Sequence, residues 1–463
     1  LTAKDQRFVN YIPVKIKNPL TDKEAFFLIK RPGFKANSTP QAGSIGTALG
    51  IFEGSGTGVT IISAFGATNS TIYDVTTGKG DITGRARGMI EVDFTGTASM
   101  VIASTDSTGW FYPAGGSLTE ITDVDYPGKA SRTTVGLFVA MDGFLFIMDS
   151  TGRIYNSDLN SITAWTSTSF IEPTSNHPFN GVGLAKHHNS IVAFGKSKLE
   201  FFVNVGNADG SPLQRKDTPI QIGAVLPASH GVTIVNDMDD VYFIGTHPTG
   251  GAGVYRIRNF QVSKVSTAEQ DAQLEVFEAQ NATLSIGKCW GRTILILQAG
   301  ATFSFNIEDN IWSEFEAGSG GILWKMMSGA TTGDGRVFSL SSTATAGKVY
   351  EWETDTPVYQ DDATAYTATI ITGKIDFDTN LYKRFDKIEL VGDVQASTTT
   401  MAINWSDDDY ATFNTARNVD MVNQRFYLTT CGMARRRAIQ IVNSTNTPVR
   451  LEALEITYTE CLH

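Results

Sequence analysis

The chain has 463 residues, of which 41% are hydrophobic and 18% charged, with 44 glycines and a formal net charge of −11. That balance is globular rather than disordered, and the length exceeds what one compact core normally holds. The acidic total disfavours a surface built to grip phosphates, which needs clustered Lys and Arg.

Taken in chain order, residues 1–45 read as an N-terminal arm. It carries one or two strands, at 11–17 and 25–30, that dock on the rest of the chain or on a neighbour. From Gly46 an imperfect repeat begins: short strands and a Gly or Asp turn, recurring about every 40 to 50 residues, the spacing of propeller blades. Clear copies start at Val135 (VGLFVAMDG, FLFIMDSTG, RIYNSDLN), Gly231 and Thr283 (TLSIGKCWG, RTILILQAG, ATFSFNIED). Weaker ones start near Gly46, Met89, Gly181 and Lys325. A small antiparallel sheet cannot cover both of its faces alone, whereas sheets stacked into a closed ring can. The inner strands at 144–148 and 293–297 are accordingly apolar throughout, and the next strand alternates through Phe303, Phe305 and Ile307. Seven units fit between 46 and 362, or six if the diffuse one near Gly46 is not a blade.

One helix is predicted, opened by a capping box at Ser266 and Glu269, with Leu274 and Phe277 on one face. It should bridge two blades over the outer surface. Residues 363–463 hold about six alternating strands and no helix, which predicts a β-sandwich. The expected fold is therefore all-β: a β-propeller over 46–362, a C-terminal β-sandwich over 363–463 and an arm over 1–45.

Chemistry is harder to find. Cys289, Cys431 and Cys461 stand far apart, so neither a disulfide framework nor a zinc site is suggested. Apolar runs such as 293–297 are too short to cross a bilayer, and no signal peptide is visible. His187 and His188 are adjacent in a predicted strand, where neighbours point to opposite faces, so they should not chelate one ion together. His177, His230 and His247 sit in turns, and His463 is terminal. The glycine-rich GSGTG at 54–58 and GKSK at 195–198 lack the rest of a phosphate loop and read as hairpin turns. Nothing singles out a facing pair of carboxylates or a nucleophile elbow. No residue is assigned a catalytic, cofactor-binding or metal-ligating role.

Acidic residues cluster at Asp237, Asp239 and Asp240 and at Asp407, Asp408 and Asp409. SDDDYATF at 406–413 is similar to the Asp-box of sialidase-like β-proteins, Ser-x-Asp-x-Gly-x-Thr-Trp, with Tyr410 in place of Gly and Phe413 in place of Trp. It reads as a turn whose carboxylates cap backbone N–H groups, with a calcium ion on the three Asp as the alternative. Arg435, Arg436 and Arg437 form the one basic run. In a strand two of them would share a face. They either block an exposed edge or contact acidic partners in a neighbouring subunit or an adaptor.

The order of features resembles a known family. DQRFVNYIPVKI and LIKRPGF near the start, SIVAFGKSKLEFFVNVGN, DDVYFIGT and GVYRIRNFQVSKVST in the middle, and YKRFDKIELVGDV, NWSDDDYATF and RRRAIQIVNSTNTPVRLEALEITY at the end resemble tail nozzle proteins of short-tailed bacteriophages. These are also called tail hub or packaged-DNA stabilisation proteins. The resemblance implies a virion tail protein made in the host bacterial cytoplasm, a homohexamer below the portal and adaptor, with genomic DNA passing through its lumen and fibres or tailspikes outside. It implies no cofactor, no membrane insertion and no catalytic residue. A net acidic wall would let DNA slide without sticking. Two other readings are a carbohydrate-binding or glycoside-processing propeller, motivated by the Asp-box and by Trp110, Trp165, Trp290, Trp312, Trp324, Trp352 and Trp405, and a scaffold propeller that binds a protein partner.

Overall fold

In the strand Phe144–Asp149, the two-residue alternation of a pleated strand sends Phe146 and Met148 to one side and Leu145 and Ile147 to the other. Both sides are buried because each faces a neighbouring sheet. The same division recurs in Arg292–Gln298, where Leu295 and Leu297 face one sheet and Ile294 and Ile296 the next. The computed structural model, which describes residues 7–17, 24–52, 60–94, 96–173, 179–207, 209–216, 219–228, 232–247, 250–318, 320–326, 328–332, 335–341, 347–352, 357–423 and 425–461, repeats this arrangement around a circle.

Seven antiparallel sheets form the ring. Blade 1 runs from Gly46–Phe52 to Thr77–Ile82, and blade 2 from Ala86–Val92 to Thr119–Glu120. Blade 3 runs from Thr134–Met141 to Trp165–Ile171, and blade 4 from Gly181–His187 to Leu213–Arg215. Blade 5 spans Ile234–Asp237 to Gln261–Lys264, with Gly223–Ala224 added beside its second strand, and blade 6 spans Thr283–Cys289 to Ile311–Phe315. Blade 7 takes three strands from Ser328–Thr331 to Val349–Trp352. The innermost strands neighbour one another in sequence order, and that of blade 7 returns to that of blade 1. Among the described residues, seven apolar clusters lie one between each successive pair of blades. Each fully buried large apolar side chain in them contributes roughly 1.5–3 kcal/mol. The fold is thus a seven-bladed β-propeller with a C-terminal β-sandwich.

The fourth strand of blade 7 comes from the other end of the chain. Phe34–Ser38 pairs antiparallel with Val349–Trp352, placing Phe34 opposite Trp352, and their rings stack at 5.6 Å. The strands expected in the arm form as Tyr11–Lys17 and Glu24–Lys30, but they do not stand apart. Arg7–Val9 pairs parallel with the outer strand of blade 6 and antiparallel with Ala368–Ile371. Blade 6 therefore continues, through three N-terminal residues, into the C-terminal sheet of Ala368–Ile371, Ala438–Asn443, Thr400–Ser406 and Arg417–Asp420. The hairpin Tyr11–Lys17/Glu24–Lys30 joins the second C-terminal sheet through Arg450–Cys461, beside Tyr382–Gly392 and Phe426–Thr429. An eighth apolar cluster, including Phe385, Ile388, Met401, Ile403, Ile439 and Ile441, fills the space between these two sheets.

Three local expectations change. The strand Thr302–Asn306 is buried on both faces rather than one, because blade 6 is covered by blades 5 and 7. The capping box sits one residue later: Gln270 Oε1 accepts from the Thr267 backbone N–H at 3.0 Å, and the helix is Ala268–Phe277, with Leu274 inserted between blades 5 and 6. YTATIITGKIDF at 366–377, one of the six alternating segments, is not one strand: the strand is Ala368–Ile371, and beyond it lies an isolated bridge between Ile375 and Arg437.

Candidate functional site: the axis, the latch and the basic turn

The innermost strands surround a cavity of about 1020 Å³ along the propeller axis. Leu49, Met89, Leu137, Leu184, Ile234 and Ile286, one from each of blades 1 to 6, line it. Arg85, Arg87 and Lys186 line it as well, with Glu91 and Asp106, so the wall mixes apolar and charged side chains. Strands crowd at the axis, and Gly136 shows how they fit. It sits in a bulge at φ +69°, and a Cβ there would come 2.5 Å from the Cα of Gly183 in the next blade.

The densest polar site is where arm, ring and sandwich meet. Arg31 and Asp361 are fully buried and form a bidentate pair at 2.9 and 2.7 Å. The other guanidinium donors go to Asn10 Oδ1 at 2.8 Å and to the carbonyls of Pro32 and Glu316 at 3.1 Å each. Tyr366 lies 3.9 Å beneath the guanidinium and donates its hydroxyl to the Arg31 carbonyl. Asn10, at φ +58°, also accepts from the Glu316 N–H at 2.9 Å and donates to the Thr367 carbonyl at 2.7 Å. Every donor that points inward finds an acceptor, which a buried cation requires. Beside it, Lys30 Nζ donates to Asn443 Oδ1 at 2.7 Å and to the Thr445 carbonyl at 2.6 Å. Burial, and then the neighbouring Arg31 charge, push the Lys30 amine down to about 7. A neutral amine has two N–H bonds, enough for those two acceptors. The sequence pattern had singled out LIKRPGF only as part of a resemblance; nothing local marks Lys30 and Arg31 as buried.

The basic run lies elsewhere and is not a continuous strand. Met433–Ala434 belongs to one sheet of the sandwich and Ala438–Asn443 to the other, so the chain changes sheets at Arg435 and Arg436. Arg437 is therefore not a surface contact: it is buried, bidentate to Asp407 at 2.7 and 2.8 Å, and packed over Phe385 and Trp405. Arg436 pairs with Asp409 at 3.0 Å, and Arg435 stacks on Tyr382 at 4.9 Å.

The three adjacent carboxylates diverge. Asp407 takes Arg437, Asp409 takes Arg436 and Lys374, and Asp408 closes the turn. Asp408 accepts from Ser406 Oγ at 2.7 Å and from the Thr412 N–H at 2.9 Å, and Thr412 Oγ1 also donates to it. These bonds, Thr412 first, hold its carboxyl down to about 2. The Asp-box works as a turn, and Tyr410, at φ +67°, occupies the left-handed position that glycine fills in the pattern.

The histidines also depart from expectation in geometry. The strand ends at His187, and His188 turns at φ +51°, so the two rings approach to 4.4 Å instead of pointing apart. Both His187 nitrogens are engaged: Nε2 accepts from the Phe260 N–H at 3.0 Å and Nδ1 meets the Asp239 carbonyl. Burial lowers its pKa and keeps it neutral. GKSK is a hairpin turn closed by the Gly195 N–H and the Lys198 carbonyl at 2.8 Å. GSGTG, His177, His230 and His463 lie outside the described residues. Trp165 and Trp352 are buried, and Trp110 and Trp312 donate to Thr108 Oγ1 and the Val265 carbonyl. Among the described residues no group of three or more His, Cys, Asp or Glu is placed to hold a metal ion, and no helix is long and apolar enough to cross a membrane.

A closed ring of seven sheets joined to a two-sheet module defines a β-propeller protein. The chain belongs to the family described as Bacteriophage P22 Gp10, beta-propeller, whose model matches residues 64–318. It is a bacteriophage structural protein and a virion component. No curated protein matches it. Similar solved structures include the WD40 β-propeller domain of Doa1, at 9% identity and TM-score 0.41, covering 70% of this chain and 98% of that one. Raptor of Chaetomium thermophilum, at 10% and 0.43, covers 71% and 30%, and BamB of Moraxella catarrhalis, at 10% and 0.40, covers 74% and 97%. Likenesses of that size carry no argument about what this chain does.

Proposed function

We propose that this chain is the subunit of a hexameric tail nozzle, a ring that extends the DNA-ejection channel of a short-tailed phage below its portal and adaptor. In this reading it is assembled in the host cytoplasm, meets an adaptor at one end, carries fibres or tailspikes outside, and acts without catalysis. The observation that carries the reading is the family match across residues 64–318, in a ring that the N-terminal segment locks to a second β-module through Arg31 and Asp361. A subunit tied together at that point is rigid, as a wall that confines DNA must be. Its net charge of −11 suits a lumen that repels phosphate and lets DNA slide. The cavity at the axis of each propeller, about 1020 Å³, is the size of a small-ligand pocket rather than of a duplex, which favours a channel formed between copies.

Electron microscopy of the particle, with an antibody or a tag on this chain, tests the proposal. Six-fold density at the tail carrying the label is expected. Label found only on the head, or a tail ring lacking this chain, would overturn it. Turnover of an oligosaccharide that disappears on changing one carboxylate would instead favour the carbohydrate reading.

A further inference from the structure

We propose that the outer face of the C-terminal module around Tyr382 and Arg435 is a docking surface for a second copy of this chain, and that it receives the turn at Asp237, Met238, Asp239 and Asp240 in blade 5. This rests on the ring reading and names the contact that would build the ring.

The receiving face sets exposed apolar side chains among arginines. Tyr382 and Arg384 alternate on one face of their strand, and Met433 is the cross-strand partner of Arg384. Leu381 and Tyr382 are each 42% exposed, and Met433 is 55% exposed. Arg435 stacks over Tyr382 and has no ion pair among the described residues. An exposed Tyr and Met flanked by arginines is the composition enriched at the centres of protein interfaces, and Arg stacked on an aromatic ring keeps its donors free for a carboxylate. Phosphate is a poorer fit, because Asp386 and Asp409 sit among the arginines and engage Arg384 and Arg436. The patch thus lacks the uniform positive charge that nucleic acid binding needs.

The other half comes from the same chain. Met238, at φ +50° on the tip of a two-residue turn, is 85% exposed, more than any other large apolar residue among those described. Asp239 beside it is 62% exposed and meets only the His188 imidazole as a cation partner among the described residues. An apolar knob between carboxylates complements an apolar floor between arginines. The two patches differ, so the contact is head-to-tail, the kind that closes rings.

Sedimentation of the purified full chain tests the pairing, using Arg435→Glu, Asp239→Arg and the two together. The expectation is that each single change weakens self-association about tenfold, as for a close charge pair, and that the double reversal restores most of it. Met238→Ser should weaken association without altering thermal unfolding. Rings that form equally well in both single variants, or a double variant no better than either single, would remove this pairing and leave the ring reading intact. A wild-type chain that stays monomeric at every concentration would also remove this pairing, whereas a tail ring lacking this chain would remove the ring reading itself.

Discussion

Arg31 and Asp361 form a doubly hydrogen-bonded ion pair with both side chains fully buried, although 330 residues separate them in the sequence. Around that pair lie the strand that closes blade 7, the outer strand of blade 6 and the first residues leading into the sandwich. Asp361 Oδ1 also accepts from the Phe34 N–H at 3.3 Å, so the carboxylate fixes the start of the closing strand as well as the guanidinium.

Removing one partner should therefore be severe. Asp361→Leu leaves the Arg31 guanidinium buried and unpaired, and Arg31→Met leaves the Asp361 carboxylate so, each at a cost of about 3–5 kcal/mol. Replacing both, as Arg31→Met with Asp361→Leu, should cost less than the sum. Urea unfolding of the three variants checks this, and single variants within about 1 kcal/mol of wild type would contradict the role given to the pair.

Lys30 should make stability depend on pH on the alkaline side. Its amine titrates near 10.5 when unfolded and at about 7 when folded. Between those values the unfolded chain holds the extra proton, so this residue's contribution to stability rises with pH, by at most about 1.4 kcal/mol per pH unit. Below about 7 both states are protonated and the charge is buried at full cost. Lys30→Met should flatten that slope between pH 7 and 10, measured as the difference from wild type; identical profiles would show that the folded amine keeps its ordinary pKa.

Gly136 and Gly183 face each other across blades 3 and 4, yet only Gly136 has a positive φ. Gly136→Ala meets both a left-handed backbone, about 1–2 kcal/mol, and a 2.5 Å clash with backbone. Gly183→Ala meets contacts of 3.3 and 3.4 Å, which small shifts can relieve. Thermal unfolding should rank Gly136→Ala well below Gly183→Ala, and equal melting temperatures would contradict the crowding at the axis.

Tyr410 sets a strained backbone against a hydrogen bond. Its hydroxyl donates to the Thr372 carbonyl at 3.0 Å. Tyr410→Phe keeps the strain and loses the bond, and should cost about 1 kcal/mol. Tyr410→Gly loses the bond but relieves the strain, and should fall closer to wild type. A Tyr410→Phe variant as stable as wild type would leave the departure from the Asp-box pattern unexplained by this bond.

The blades were legible in the sequence because each is local: short strands, of two to eight residues, turned by Gly or Asp, pair with their immediate neighbours, and burial on both faces leaves continuous apolar runs such as 144–148 and 293–297. The Asp-box turn was legible for the same reason, since Ser406, Asp408 and Thr412 satisfy one another within seven residues. What only the tertiary structure decided spans the whole chain. Phe34–Ser38 became a blade strand because blade 7 has a free edge 311 residues away, at Val349. Lys30, Arg31 and Arg437 look like surface cations in any local window, and are buried because Asn443, Asp361 and Asp407 arrive from distant strands to accept their hydrogen bonds. Periodicity reports which side chains face a neighbouring sheet, but the partner that neutralises a buried charge is fixed only when the ring closes.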